Sequence, residues 1–224
     1  MNLGIHQSQY IPWPAYFRKI ALCDVFVILD DVQYQKNGVQ NRNKLRNKKE
    51  EFWVTIPIKG ALEEKINEKE VADQKWKRKH LQSTIQSYSK APFWNDYCNE
   101  IEGIFTNGSA NLNEINLLFI RFILDKLDIK TKVIISSESN FLGSKSELVL
   151  NICKSLKANT YLSGTGSKDY LEEDKFKEAG IEIEFMESKN PSYVQFNGDF
   201  IPDLSIIDMM MNVDLKSIKE YLNE

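Results

Sequence analysis

"NLGIHQSQYIPWPAYFRKIALCDVFVILDD", residues 2–31, decides the fold. Its ends carry short apolar runs, residues 2–5 and Val25-Phe26-Val27-Ile28-Leu29, each the length of a buried strand. Between them Tyr16, Phe17, Ile20 and Ala21 recur at helical spacing over residues 14–22. Pro14 suits the first turn of that helix, where a missing N–H costs nothing. A strand, a helix and a strand in so short a span form the unit that builds parallel sheets.

The alternation returns downstream. "KVIIS" (132–136), "TYLSG" (160–164) and "IEIEFM" (181–186) read as strands, with helices over 144–156 and 171–179. Gly180 is placed to end the second of these in a left-handed conformation. Residues 205–212 and 214–222 read as two short closing helices. "VQYQKNGVQNRNKLRNKKEE" (32–51) reads as a loop or hairpin, and "FWVTIPI" (52–58) as a third strand. Residues 73–127 differ in character. Trp76, Leu81, Ile85 and Tyr88 mark one helix, and Phe93, Tyr97, Ile101, Ile104 and Phe105 a second, broken at Asn107-Gly108. Residues 111–127 mark a third. The pattern predicts a single α/β domain over 1–224, with a Rossmann-like, mostly parallel sheet and a helical insertion over 73–127.

Composition narrows the function classes. With 42% hydrophobic and 27% charged residues the chain reads as an ordinary globular protein, and a net charge of −3 argues against a general nucleic-acid binder. The run Lys75-Trp76-Lys77-Arg78-Lys79-His80 is the one local basic patch that could sit beside a phosphate. Cys23, Cys98 and Cys153 are odd in number and unpatterned, which suits a reducing compartment rather than a disulfide framework or zinc site. No apolar run approaches a membrane span, and the N-terminus lacks signal-peptide features. A cytoplasmic protein is expected; its oligomeric state is not encoded legibly.

Open α/β sheets bind ligands beyond the C-terminal ends of their strands. His6, Gln7 and Tyr10 follow the first predicted strand; Asp30, Asp31 and Gln33 follow the second; Lys59 follows the third. Thr165, Gly166, Ser167, Lys168, Asp169 and Tyr170 follow "TYLSG", and Lys189, Asn190, Tyr193 and Gln195 follow "IEIEFM". This convergence predicts a small-molecule site. His6 is either a general base or phosphate donor, or a histidine satisfied by backbone. Asp30-Asp31 either hold Mg²⁺ or cap a turn, and adjacent strand residues point to opposite faces, so one of them enters a site. Arg42 can fork onto a phosphate or carboxylate, with Asn41 and Asn43 anchoring its loop or touching sugar hydroxyls; the alternative is a polar turn.

"SGTGSKDY" (163–170) can cradle a phosphate or carboxylate through Ser163, Gly164, Thr165 and Lys168, or can be a simple strand–helix turn. It has neither the Walker A nor the Rossmann glycine spacing. His80 reads by default as part of a solvated helix face. Trp13, Tyr16, Trp76, Phe93 and Trp94 line either a pocket or the core. Asp208, inside the apolar run "LSIIDMMMN", needs a partner if buried and is either site or scaffold.

Six stretches in order carry a resemblance: "HQSQYIPWPAYF", "DDVQYQKNGVQNRN", "WVTIPI", "WKRKHLQSTIQSYSKAPFW", "YLSGTGSKDYL" and "PSYVQFNGDFIPDLSIIDMMMN". Together they resemble the WbqC-like family of bacterial proteins over essentially the whole chain. The family's Gln-Pro is Gln7-Ser8 here, and a glycine common in the family is Ala15. Neither change removes a polar group. The resemblance implies O-antigen and other surface-polysaccharide biosynthesis, with a suggested glycyl, aminoacyl or other acyl transfer to an amino sugar. Its motif positions are His6, Gln7, Tyr10, Asp30, Asp31, Asn41, Arg42, Asn43, Ser163, Gly164 and Asp208. A histidine loop after the first strand is also similar to nucleotidyltransferases, although their H-x-G-H signature is absent.

The leading expectation is a transferase forming an amide on a nucleotide-linked amino sugar. His6 or Asp30 would take the ammonium proton; Arg42, Gln7 and the 163–168 amides would steady the oxyanion. The acyl or amino-acid donor would be activated by ATP with Mg²⁺ or arrive as a thioester; no metal ligand set is assigned. A non-catalytic protein binding a nucleotide sugar or partner enzymes is the second expectation. A glycosyltransferase using Asp30-Asp31 as metal ligands is the third.

Overall fold

The computed structural model describes residues 1–106, 108–187 and 191–224. Asn107, Lys189 and Asn190, singled out from the sequence, lie outside the described residues. Five strands form one parallel sheet: β1 (Asn2–Gln7), β2 (Val25–Leu29), β7 (Lys132–Ile135), β8 (Thr160–Gly164) and β9 (Glu182–Met186). Their spatial order is β7-β2-β1-β8-β9. Counting only these five, the order is third, second, first, fourth, fifth, the Rossmann-like winding.

Two apolar layers flank the sheet. Val25, Val27 and Leu29 face one side with Leu3, Ile5 and Tyr161, covered by α5 (Lys145–Ser155) and α6 (Glu173–Glu178). Phe26 and Ile28 face the other, against α1 (Pro14–Ala21), α7 (Ile206–Asn212) and α8 (Leu215–Asn223). This alternation is the period-two signature of a strand covered on both faces. Gly4 is needed beside β2 and the turn after α1, because a Cβ there would come within 2.6 Å of Cys23 Sγ and 2.7 Å of the Phe26 ring. Asn111, Ser205 and Asp214 cap α4 (Leu112–Lys126), α7 and α8 by accepting from backbone N–H groups of the first turn.

Between β2 and β7 come two small hairpins and the expected helices α2 (Lys75–Tyr88), α3 (Trp94–Thr106) and α4 (Leu112–Lys126). Their apolar faces join the same core as the α1 side of the sheet. One reading needs correction. Residues 52–58 do not extend the parallel sheet. They supply β4 (Glu51–Thr55), paired antiparallel with β3 (Arg42–Arg46), and then β5 (Ile58–Lys59), paired with β6 (Glu70–Val71). Pro57, which has no N–H to give a ladder, separates β4 from β5.

Candidate functional site at the strand ends

The centre of the sheet is split. β1 pairs with β2 from Leu3 to Gln7, but with β8 only from Asn2 to Gly4. β8 meanwhile stays paired with β9 as far as Gly164. Between β1 and β8 the winding reverses, and ligands of open α/β sheets bind in the crevice outside such a reversal. His6, Gln7, Ser163 and Gly164 are the residues the split brings to this edge.

Lys19, on α1, fills the base of the split. Its Nζ donates to the Ile5 carbonyl at 2.8 Å and lies 5.7 Å from the centre of the Tyr161 ring. Only 6% of the residue is exposed, and among the described residues no carboxylate pairs with it. Burial pushes its ammonium down to about 8. His6 stands beside it, half-buried, its ring edge-on to Tyr16 at 5.1 Å and to Trp13 at 6.0 Å. Burial first, and the Lys19 charge second, push this imidazole down to about 3. His6 is therefore neutral near pH 7 and holds a proton poorly.

Behind these residues lies a network of carboxamides. Gln40 Nε2 donates to Gln7 Oε1 at 2.7 Å, and Asn116 Nδ2 to the Gln40 carbonyl at 2.9 Å and Ser8 Oγ at 3.3 Å. Gln9 Nε2 stands 3.4 Å from His6 Nδ1. The side-chain oxygens of Gln9, Gln40, Asn113 and Asn116 are buried with no hydrogen-bond partner among the described residues. Such acceptors call for donors, from water or from a ligand.

Asp30 is buried and engaged on every side. Its Oδ1 accepts from Ser136 Oγ at 3.0 Å and Ser137 N at 2.9 Å; its Oδ2 accepts from Ser137 Oγ at 2.7 Å and Asn113 Nδ2 at 2.8 Å. Ser136 Oγ also bonds Asp31 Oδ1, and its one hydrogen serves one carboxylate at a time. These contacts tie β2 to α4 and to the turn after β7. Among the described residues no three His, Cys, Asp or Glu side chains converge as a metal set.

Of the remaining predicted positions, only those in the turn after β8 adjoin the split. Tyr10 is fully buried, its hydroxyl 2.9 Å from His80 Nδ1, in an aromatic cluster with Trp76, Phe105 and Phe119. His80 is thus an interior residue, not part of a solvated face. Asn41 takes the anchoring role, bonding Tyr34 Oη at 3.0 Å and the Ile56 carbonyl at 2.8 Å. Asn43 likewise donates to the Ile11 carbonyl at 2.8 Å and holds Ile11 at a φ of 37°, a strained value for a β-branched residue. Arg42 stacks on the exposed Trp53, 4.3 Å from its ring centre, and donates to the Asn37 carbonyl. Gln33 is exposed and bridges Lys65; Lys59 pairs with Glu70 at 2.8 Å. Thr165 and Lys168 are exposed in the turn after β8, with Lys168 Nζ 4.8 Å from the Phe185 ring centre. Ser163 Oγ lies 2.5 Å from Ser167 Oγ.

Asp208 anchors a second buried cluster. It accepts from Tyr88 Oη at 2.9 Å, Tyr193 Oη at 2.8 Å and Gln195 Nε2 at 3.0 Å. Burial raises its carboxyl, with those hydrogen bonds and the Arg46 charge opposing. Arg46, also buried, donates to Gln195 Oε1, to the Asn197 carbonyl, and to the Asp199 carbonyl at 2.7 Å. Hollows lie away from the strand ends, about 930 Å³ beside Leu215 and Lys219 and about 670 Å³ between Tyr193, Met209 and Tyr221.

The two histidines set an acid limit on the fold. Burial chiefly depresses His80 to about 4, as it does His6 to about 3, from an ordinary 6.5. The unfolded chain takes up these protons below pH 6.5 and the folded chain refuses them. Stability is therefore whole above pH 6.5 and falls towards pH 4, by up to about 1.4 kcal/mol per pH unit for His80 and less for the more exposed His6. Urea unfolding between pH 7 and 5 is expected to show this slope, and a folded His80→Gln variant to lose about one proton of it.

Sequence reasoning missed Lys19, Gln40, Asn116 and Ser136. Lys19 had a signal: it falls three residues after Tyr16 and four before Cys23, on the buried stripe of α1.

A doubly wound α/β protein with polar residues gathered at its winding reversal is the class defined by this geometry. The chain belongs to the WbqC-like protein family, whose model matches residues 7–220. It is similar to "Uncharacterized protein Rv1507c" of Mycobacterium tuberculosis (strain ATCC 25618 / H37Rv), 31% identical over 225 residues, spanning 99% of this chain and 97% of that protein. No solved structure matches the chain significantly. Among the described residues no helix is long and apolar enough to cross a membrane.

Proposed function

We propose that this chain transfers an aminoacyl or other acyl group to the amine of a nucleotide-linked amino sugar, within bacterial surface-polysaccharide biosynthesis. The observation that carries the reading is the split beside His6, which joins two chemistries. Lys19 offers donor hydrogens to an anion, while the carboxamides around Gln9, Gln40 and Asn116 offer unpaired acceptors to hydroxyls or an ammonium. A nucleotide-linked amino sugar carries both kinds of group. Amide formation needs the amine deprotonated and the tetrahedral oxygen stabilised. Gln7 and the 163–168 amides are the proposed oxyanion donors. The acyl donor is either an amino acid activated by ATP with Mg²⁺ or a thioester.

The test is incubation with UDP-, GDP- and dTDP-linked amino sugars, each with glycine and ATP-Mg²⁺ or with acyl-CoA, read by mass spectrometry. The expected result is one sugar nucleotide gaining the acyl mass. A second reading, a non-catalytic nucleotide-sugar-binding protein, is favoured by the full engagement of Asp30 and the weak basicity of His6. Protection of the fold by a sugar nucleotide with no product from any donor would decide for it.

A further inference from the structure

Lys19 is a cation without an anion. Its Nζ has three hydrogens, and among the described residues its one hydrogen bond goes to the Ile5 carbonyl, which lies past the point where β8 stops pairing with β1. The groups around it are His6 on β1, Cys23 just past α1 and Tyr161 on β8, with Tyr16 of α1 behind His6. Burial keeps each of them uncharged near pH 7: His6 is pushed down, and Tyr16, Cys23 and Tyr161 are pushed up. Burying a lone ammonium is costly unless something pairs with it.

A second, independent observation lies across the split. Gly164 and Gly166 have no atom within 4 Å of the place a Cβ would occupy, and neither adopts a positive φ. The fold itself does not need glycine at either position. Their bareness leaves room for something to approach the backbone after β8.

We propose that the split between β1 and β8 is an anion subsite, with Lys19 pairing a phosphate or carboxylate group of the ligand and the Gly164–Gly166 backbone making room for it. The subsite deepens the transferase reading by naming the group that docks there, and rests on that reading's placement of the ligand. Two sources share the chemistry: the diphosphate of a sugar nucleotide and the carboxylate of an amino-acid donor. A bound anion raises the Lys19 pKa, so binding takes up a proton above pH 8 and weakens as pH rises.

Calorimetric titration of the whole chain with UDP and, separately, glycine at pH 7 and pH 9 tests this. For one of the two, wild-type affinity is expected to fall about tenfold at pH 9, with buffer-dependent proton uptake, and Lys19→Met to cost at least tenfold at pH 7. Which of the two responds identifies the source. Gly164→Val, which the extended backbone at Gly164 accommodates, is expected to abolish binding with an unchanged melting temperature, and it carries the test if Lys19→Met fails to fold. Failure of both ligands to bind, or retention of wild-type affinity and pH profile by the folded variants, would overturn the subsite. Lys19-dependent binding without any amide product would leave the subsite standing and remove the transferase.

Discussion

Replacing Asp30 with alanine is expected to lower the melting temperature by about 6–15 °C, before any effect on a chemical step is considered. Four donors converge on this buried carboxylate, from Ser136, Ser137 and Asn113. Alanine leaves them unpaired in the interior, at about 1–3 kcal/mol for each that cannot find another acceptor. Repartnering of the hydroxyls keeps the sum nearer 3–4 kcal/mol, and a chain of this length loses about 2–4 °C per kcal/mol. Thermal unfolding measures the loss. Asparagine at position 30 restores one acceptor and is expected to recover part of it. An Asp30→Ala variant that melts within about 2 °C of wild type while losing a measured activity would return Asp30 to a chemical role.

Arg46→Met is expected to act at the end of β3 with similar force. The guanidinium holds the segment 195–199 to β3 by three acceptors, the Gln195 side chain and the Asn197 and Asp199 carbonyls. It also supplies the positive charge that partly offsets the burial of Asp208. Removing one member of a buried charged set costs about 3–5 kcal/mol. The expected signature is local as well as global. Limited proteolysis should cut the variant within 191–203 at protease concentrations that leave wild type intact. Cleavage confined to other loops would mean that the segment is held without Arg46.

The sheet was legible because its strands are apolar runs of the right length and its helices carry apolar residues at helical spacing. β3 was legible only as part of a stretch read as loop or hairpin, because "RNKLR" is polar on paper. Its burial comes from Arg46, Asn43 and Leu45 meeting residues far along the chain. The strand-end rule brought His6 and Gln7 to the sheet's edge from topology alone, and the small-residue reading of "SGTGSKDY" added Ser163 and Gly164. The rule could not separate Asp30 from them, because Ser136 and Ser137 become its partners only when β7 lies beside β2. Tyr10 and His80 pair across 70 residues, a distance no local pattern spans. Asp208 announced a need for partners by sitting in an apolar run, but Tyr88 and Tyr193 had to be seen to be named.

The pairing of β1 with β8 bears on the order in which the chain can assemble. The first strand made is the middle of the sheet, and its second neighbour begins at Thr160. At about 5–20 residues per second, roughly ten to thirty seconds of synthesis separate the two. Until then β1 has one edge open, and Lys19 has no completed slot to occupy. The long excursion of hairpins and helices is made in that interval. Contacts this remote in sequence slow folding. Pairing of β8 is thus a late step, followed by the docking of β9, α7 and α8, and a chain halted before β8 would keep its core half-built and lack the split altogether.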